Sequence, residues 1–158
     1  MPPRSPFEYI DIDKELVCEF FGAFSRFEFA LKETGFVFDL RGRAAPDWRT
    51  FSRVAGERMA IAPGTALATA IQVLTEQPPQ IQSAQLKWFD RPLNGTSDTA
   101  RAVDAATRVR NNLFHGGKHP PYSAPGRDAQ LLRAALTLLY ACLEQIPELF
   151  EHYDTTVF

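Results

Sequence analysis

Cysteine is scarce. Cys18 and Cys142 are the only two in 158 residues, too few and too far apart in the chain for a disulfide framework. Both fall inside apolar helical patterns, where a free thiol behaves as a small hydrophobe, so both are expected in the core. Long apolar runs are missing too. No stretch approaches 18 uninterrupted apolar residues, so no membrane-spanning helix and no membrane partner are expected. The opening segment MPPRSPFEYIDID has prolines and acids where a signal peptide needs an apolar run, which points to a cytoplasmic protein. Strand patterns are scarce as well, FVFDL near Phe36 being the only plausible short one. Neither sign of charge dominates. The formal net charge is −2, which argues against a duplex-DNA binder that gains its affinity by neutralising phosphates.

What is present is helical patterning. A chain of 158 residues with 45% apolar composition can bury one sizeable core, and a single domain over 1–158 is expected. Leu16, Phe20, Phe24, Phe27 and Leu31 recur at spacings that predict a first helix from about Asp13 to Glu33, closed by Gly35. Seven of the thirteen phenylalanines lie between Phe20 and Phe38, which makes this helix the main core element. A turn-rich RGRAAPD segment follows, and Pro46 and Asp47 open a second helix carrying Trp48, Phe51 and Val54. A short segment of small residues, Thr65 to Leu74, ends before Pro78 and Pro79, and a further helical piece is expected over Gln80 to Phe89. Ser97 then caps a helix with the stripe Ala102, Ala106, Val109 and Leu113, which Gly116 and Gly117 end. HPPYSAPG cannot continue a helix. The last long helix starts near Asp128, lines up Leu132, Ala135, Leu139, Cys142 and Ile146, and ends or kinks at Pro147. The sum is an all-α bundle of four to six helices.

The stretch RVRNNLFHGGK, residues 108–118, holds the residues most suited to chemistry. Arg110 flanks the apolar stripe, where a partly desolvated guanidinium seeks an acceptor. His115 comes at the helix end beside two glycines, with an imidazole that can meet a ligand or a partner chain. Residues five apart lie about 140° around a regular helix from each other, so the two do not share a face. Asn111 and His115 are four apart and do. Charge is uneven around them: Arg101, Arg108, Arg110, Lys118 and Arg127 stand against Asp104 alone, whereas Glu144, Glu148, Glu151 and Asp154 close the chain with no Lys or Arg among them. A local basic surface is therefore expected around the motif.

An Arg, four intervening residues and a His, with a polar Asn111 directly after the Arg, in the second half of an all-α domain, resembles the signature of the HEPN superfamily. RNNLFHGGK and the helix FFGAFSRFEFALK are similar to small stand-alone HEPN proteins of plasmid and defence loci. The resemblance implies a HEPN-like fold and a homodimer whose two motifs meet in one composite cleft. It implies metal-independent cleavage of single-stranded RNA, with no cofactor, and a toxin or phage-defence role under a cognate antitoxin or regulator. Arg110 and His115 are then the catalytic pair, Asn111 and Lys118 contact substrate, and Glu28 approaches the motif from the first helix. Toxins of this superfamily that are silenced by nucleotidylation have a Tyr two residues after the His. Gly117 stands there in this chain, so silencing by that route is not expected.

Plainer readings stand beside this one. Arg110 can be an ordinary ion-pairing residue, and His115 a helix C-terminal residue favoured by the macrodipole. His115 and His119 are four apart, but two glycines and a proline oppose a helix there and no further ligand cluster lies nearby, so no metal site is expected. GGKH lacks the spacing and the Ser or Thr of a phosphate loop. Trp48, Trp88 and the phenylalanines fit core or interface positions, His152 fits an acidic surface, and Arg49, Arg53 and Arg58 fit a solvated helix face. Two other function classes remain open: a non-catalytic HEPN-like helical module binding RNA or a partner protein, and a structural helical dimer.

Overall fold

The computed structural model describes residues 1–115 and 124–156. Among these, helices dominate: α1 (Lys14–Glu33), α2 (Trp48–Arg58), α3 (Ala66–Glu76), α4 (Asp98–Phe114), α5 (Arg127–Gln145) and the short α6 (Pro147–Tyr153), after one 3-10 turn at Pro6–Tyr9. The helix starts are written in side chains. Asp13, Asp47, Thr65 and Ser97 each accept a first-turn backbone N–H of α1, α2, α3 and α4, each cap worth about 1 kcal/mol.

α5 is the central element and packs on α1, α3, α4 and α6, while α2 packs on α4. The core runs through Phe20, Phe27, Leu31, Phe51, Leu74, Leu138, Leu139 and Ile146, all nearly or wholly closed to solvent. Burying each such aliphatic or aromatic side chain contributes about 1.5–3 kcal/mol. Trp48 stacks on Phe27 at 5.5 Å between ring centroids and meets Phe51 edge-on, which locks the start of α2 onto α1. Gly56 lets α2 come in close: a Cβ there would collide with the Oγ of Ser97, the residue that caps α4.

Two small antiparallel hairpins decorate the bundle. β1 (Val37–Leu40) pairs with β2 (Arg43–Pro46) in the register Val37 with Pro46 and Leu40 with Arg43. The turn uses positive φ at both Arg41 and Gly42, the backbone twist that joins antiparallel strands most closely, and Asp39 Oδ1 accepts the Gly42 N–H at 2.6 Å. FVFDL is thus a strand, but the turn-rich reading of RGRAAPD missed its partner strand.

The expected helix over Gln80 to Phe89 does not form. β3 (Ile81–Gln82) and β4 (Trp88–Phe89) make a hairpin instead. Ile81, Ala84 and Trp88 imitate a helical stripe, but Ser83 accepts from Leu86 and donates to Lys87 O, closing a tight turn. The hairpin is tied down when Asn112 Nδ2 donates to Gln80 O at 2.9 Å. The small-residue segment from Thr65, by contrast, is a full helix, with Ala70, Ile71 and Leu74 buried.

Cys142 is buried as expected, with its thiol pushed up to about 12 by desolvation. Cys18 is exposed. It follows Val17 and precedes Phe20 by two positions, and both of those are buried, so the turn of the helix carries its side chain outward. No helix among the described residues is long and apolar enough to cross a membrane.

Candidate functional site

Arg110 lies on the flank of α4 that faces α1. These two helices each pack on α5, and long side chains bridge the space between them. Arg110 Nη2 donates to Glu28 Oε1 at 2.7 Å. The same oxygen accepts Trp48 Nε1–H at 3.0 Å, so a single carboxylate oxygen joins α1, α2 and α4. The Arg110 guanidinium also lies 5.8 Å from the centre of the Phe24 ring, within cation–π range. Beyond it, Phe21 of α1 and Phe114 of α4 touch at 4.8 Å between ring centroids, both about half exposed.

This site is incompletely satisfied. Arg110 and Glu28 keep 27% and 26% of their side-chain exposure, so the pair is neither a solvated surface contact nor a sealed one. Arg110 Nε is buried with no hydrogen-bond partner among the described residues. A planar guanidinium presents donors in a fixed fork, and here one edge is held by Glu28 while another donor goes unused. The Glu28 contact anchors one nitrogen of the guanidinium, and the part of the group that stays open to solvent can meet an additional anionic or carbonyl acceptor.

His115 closes α4. Its backbone N–H donates to Asn111 O at 2.9 Å, and its side chain is exposed. Among the described residues the imidazole has no hydrogen-bond partner, and Asn111, also exposed, makes no side-chain bond to it. Asn111 and His115 therefore share an open face without touching. Asn112 is the structural half of the Asn pair, through its bond to Gln80. Lys118, Gly116, Gly117 and His119 lie outside the described residues, and with them the expected substrate contact of Lys118, the glycine stop and the HPPYSAPG loop.

The expected basic surface is a different matter. Arg108 is buried, at 6% exposure, and donates to Arg91 O and Pro92 O at 2.6 Å each while pairing with Asp104 at 2.9 Å. Arg127 donates to Val73 O and to Gln77 O, closing the C-terminus of α3. Arg101 pairs with Asp98. The arginines that sequence grouped around the motif are consumed by the fold, because a helix distributes neighbouring positions over different faces. Of the second-helix arginines, Arg53 pairs with Glu57 and Arg58 with Glu148.

Sequence reading named Arg110, Asn111 and His115, and put Glu28 near them only through the resemblance. It missed the Trp48 indole N–H, Phe24 and the Phe21–Phe114 pair. Glu28 and Phe21 are seven apart, two turns along one side of α1, and that spacing was a usable signal. Trp48 reaches Glu28 only through tertiary packing.

No family model, no curated protein and no solved structure matches the chain. Among the described residues no cluster of His, Cys, Asp and Glu is arranged to hold a metal ion.

Proposed function

We propose that the chain is a metal-independent, HEPN-like endoribonuclease that cuts single-stranded RNA as a cytoplasmic homodimer, in a toxin or phage-defence setting with a cognate antitoxin or regulator. One observation carries this reading: a partly exposed guanidinium held by a carboxylate, five residues from an exposed imidazole that has no hydrogen-bond partner among the described residues.

RNA supplies its own nucleophile. The ribose 2′-oxygen attacks the adjacent phosphorus, the 2′ proton is taken by a base, and the P–O5′ bond breaks as the 5′-oxygen takes up a proton. The products are a 2′,3′-cyclic phosphate and a 5′-hydroxyl, and DNA, without the 2′-OH, survives. His115 serves the proton transfers, worth about 10²–10⁴-fold. Arg110, held in plane by Glu28, donates to the non-bridging phosphate oxygens as their charge grows. Because Arg110 and His115 lie on different sides of α4, two copies related by a two-fold axis bring complementary halves into one cleft. Asn111, exposed beside His115, contacts the substrate, and Lys118 adds a phosphate contact.

A second reading has its own support. With Arg101, Arg108 and Arg127 engaged within the fold, little free positive charge remains for a phosphate track, which favours a non-catalytic module binding RNA or a partner protein. Incubating the purified chain with single-stranded RNA in EDTA and analysing the ends separates the two. Cyclic-phosphate termini support the enzyme. Intact RNA retained on the protein supports the binding module.

A further inference from the structure

The far end of the molecule holds a surface that the α1–α4 site does not use. Where α5 breaks into α6, a cavity of about 610 Å³ is lined by Tyr140, Leu143, Glu144, Pro147, Phe150 and Tyr153. Its floor is apolar. Phe150 is 49% exposed and offers its ring to whatever enters the groove. The groove is also preformed: Tyr140 Oη donates to Glu19 Oε1 at 3.0 Å, and Arg26 on α1 donates to the carbonyls of His152, Tyr153 and Thr155. Those bonds fix the end of α6 against α1 and set the width of the groove.

Acids outnumber cations around the groove. Glu144 lines the cavity, Glu151 lies next to the lining residue Phe150 on α6, and Asp154 caps the end of that helix. Glu144, Glu151 and Asp154 form no ion pair among the described residues. The sequence has no Lys or Arg from 134 to 158. Of the nearby cations Arg58 is neutralised by Glu148, and Arg26 is held on the α1 side by the carbonyls at the end of α6, while Glu19 beside Tyr140 adds a further acid. An apolar trough edged by free carboxylates repels phosphodiesters and anionic lipid headgroups. It is suited instead to a segment that presents apolar side chains with Lys or Arg beside them. A second copy of the chain is a poor occupant, because most of the arginines on its described helices are spent on acids or carbonyls of their own.

We propose that the α5–α6 groove is a docking site for a cationic amphipathic helix of a partner protein, whose apolar stripe seats on Leu143, Phe150 and Tyr153 while its basic flank meets Glu144 and Glu151. The site is separate from Arg110 and stands whether or not the chain cleaves RNA.

The test uses the full chain and a fluorescein-labelled probe helix with Leu at helical stripe positions and Lys elsewhere, read by anisotropy. Saturable binding is expected, weakened at least about tenfold by Phe150→Ser and by the charge reversal Glu144→Lys with Glu151→Lys, and unchanged by Glu33→Lys on α1. All four positions are exposed, so the variants fold. Replacing the probe's Lys by Glu abolishes binding. Equal binding by all variants, or none by wild type, overturns the proposal. So does a concentration-dependent dimer that Phe150→Ser dissolves, since a second copy then covers the groove.

Discussion

Arg108 and Arg110 are two residues apart on the same helix, and the fold treats them oppositely. Arg108 points into the junction between α4 and the Arg91–Pro92 segment, where two carbonyls and the Asp104 carboxylate take up its donors. Arg110 points into the space between α4 and α1, where one carboxylate oxygen holds it and Nε stays buried and unpaired. A guanidinium whose donors are engaged inside the fold is a structural clamp. One that a single carboxylate oxygen holds, and that keeps 27% of its side-chain exposure, still has an open edge to offer a ligand. Residue type and sequence neighbourhood are the same in both cases. The difference lies in which face of α4 each residue occupies and what the fold set against that face.

The contrast can be broken by substitution, most sharply at the open site. Arg110→Ala and His115→Ala are each expected to lower EDTA-resistant RNA cleavage by about 100-fold or more while leaving the helical circular-dichroism signal intact. Loss of helicity along with activity would make Arg110 a clamp like its neighbour. At the closed site the expectation inverts. Arg108→Ala leaves the Arg91 and Pro92 carbonyls without their donor and Asp104 with only its Asn94 contacts, and is expected to cost about 3 kcal/mol, lowering Tm by about 6–12 °C in a chain of this size. A melting curve that matches wild type would contradict the clamp.

Smaller effects sharpen the picture. Asn112→Ala removes one bond to the β3–β4 hairpin and is expected to cost about 1 kcal/mol with cleavage unchanged, whereas Asn111→Ala is expected to raise KM with no change in melting. Equal effects from both would mean the two asparagines share one role. The smallest effect concerns pH. Arg58 holds the Glu148 carboxyl below its ordinary range, and the Thr50 hydroxyl and N–H do the same for Asp47. A depressed folded pKa contributes stability that is present above the unfolded pKa and lost as pH falls through the folded one. Tm should therefore decline as pH drops below about 4.5, the ordinary value for a Glu carboxyl, and Glu148→Gln should flatten that decline slightly, because the pair is exposed and screened.

The helical framework was legible in the chain because its signals are local. Stripe spacing placed α1, α2, α4 and α5 within a residue or two, and Asp47 and Ser97 announced their helices by cap chemistry. The β3–β4 hairpin was not legible, because Ile81, Ala84 and Trp88 fit a helical stripe in one dimension while the Asn112 bond to Gln80 exists only in three. Cys18 went wrong for a related reason: it sits among apolar residues, but on the outer side of α1. Of the candidate site, Arg110, Asn111 and His115 could be named from spacing. The Trp48 N–H that shares the Glu28 oxygen with Arg110 needs α2 folded onto α1. Of the expected basic surface, Arg108 turned out buried and Arg127 tied to the end of α3, partners that a count of arginines along the chain does not show, while Lys118 lies outside the described residues.

The most direct test of the account is a side-by-side comparison of wild type and Arg110→Ala, each melted and then incubated with single-stranded RNA in EDTA. The account predicts closely similar melting curves, 2′,3′-cyclic phosphate and 5′-hydroxyl ends from wild type, and intact RNA from the variant. Equal cleavage by both proteins, or no cleavage of any RNA by wild type, would contradict it.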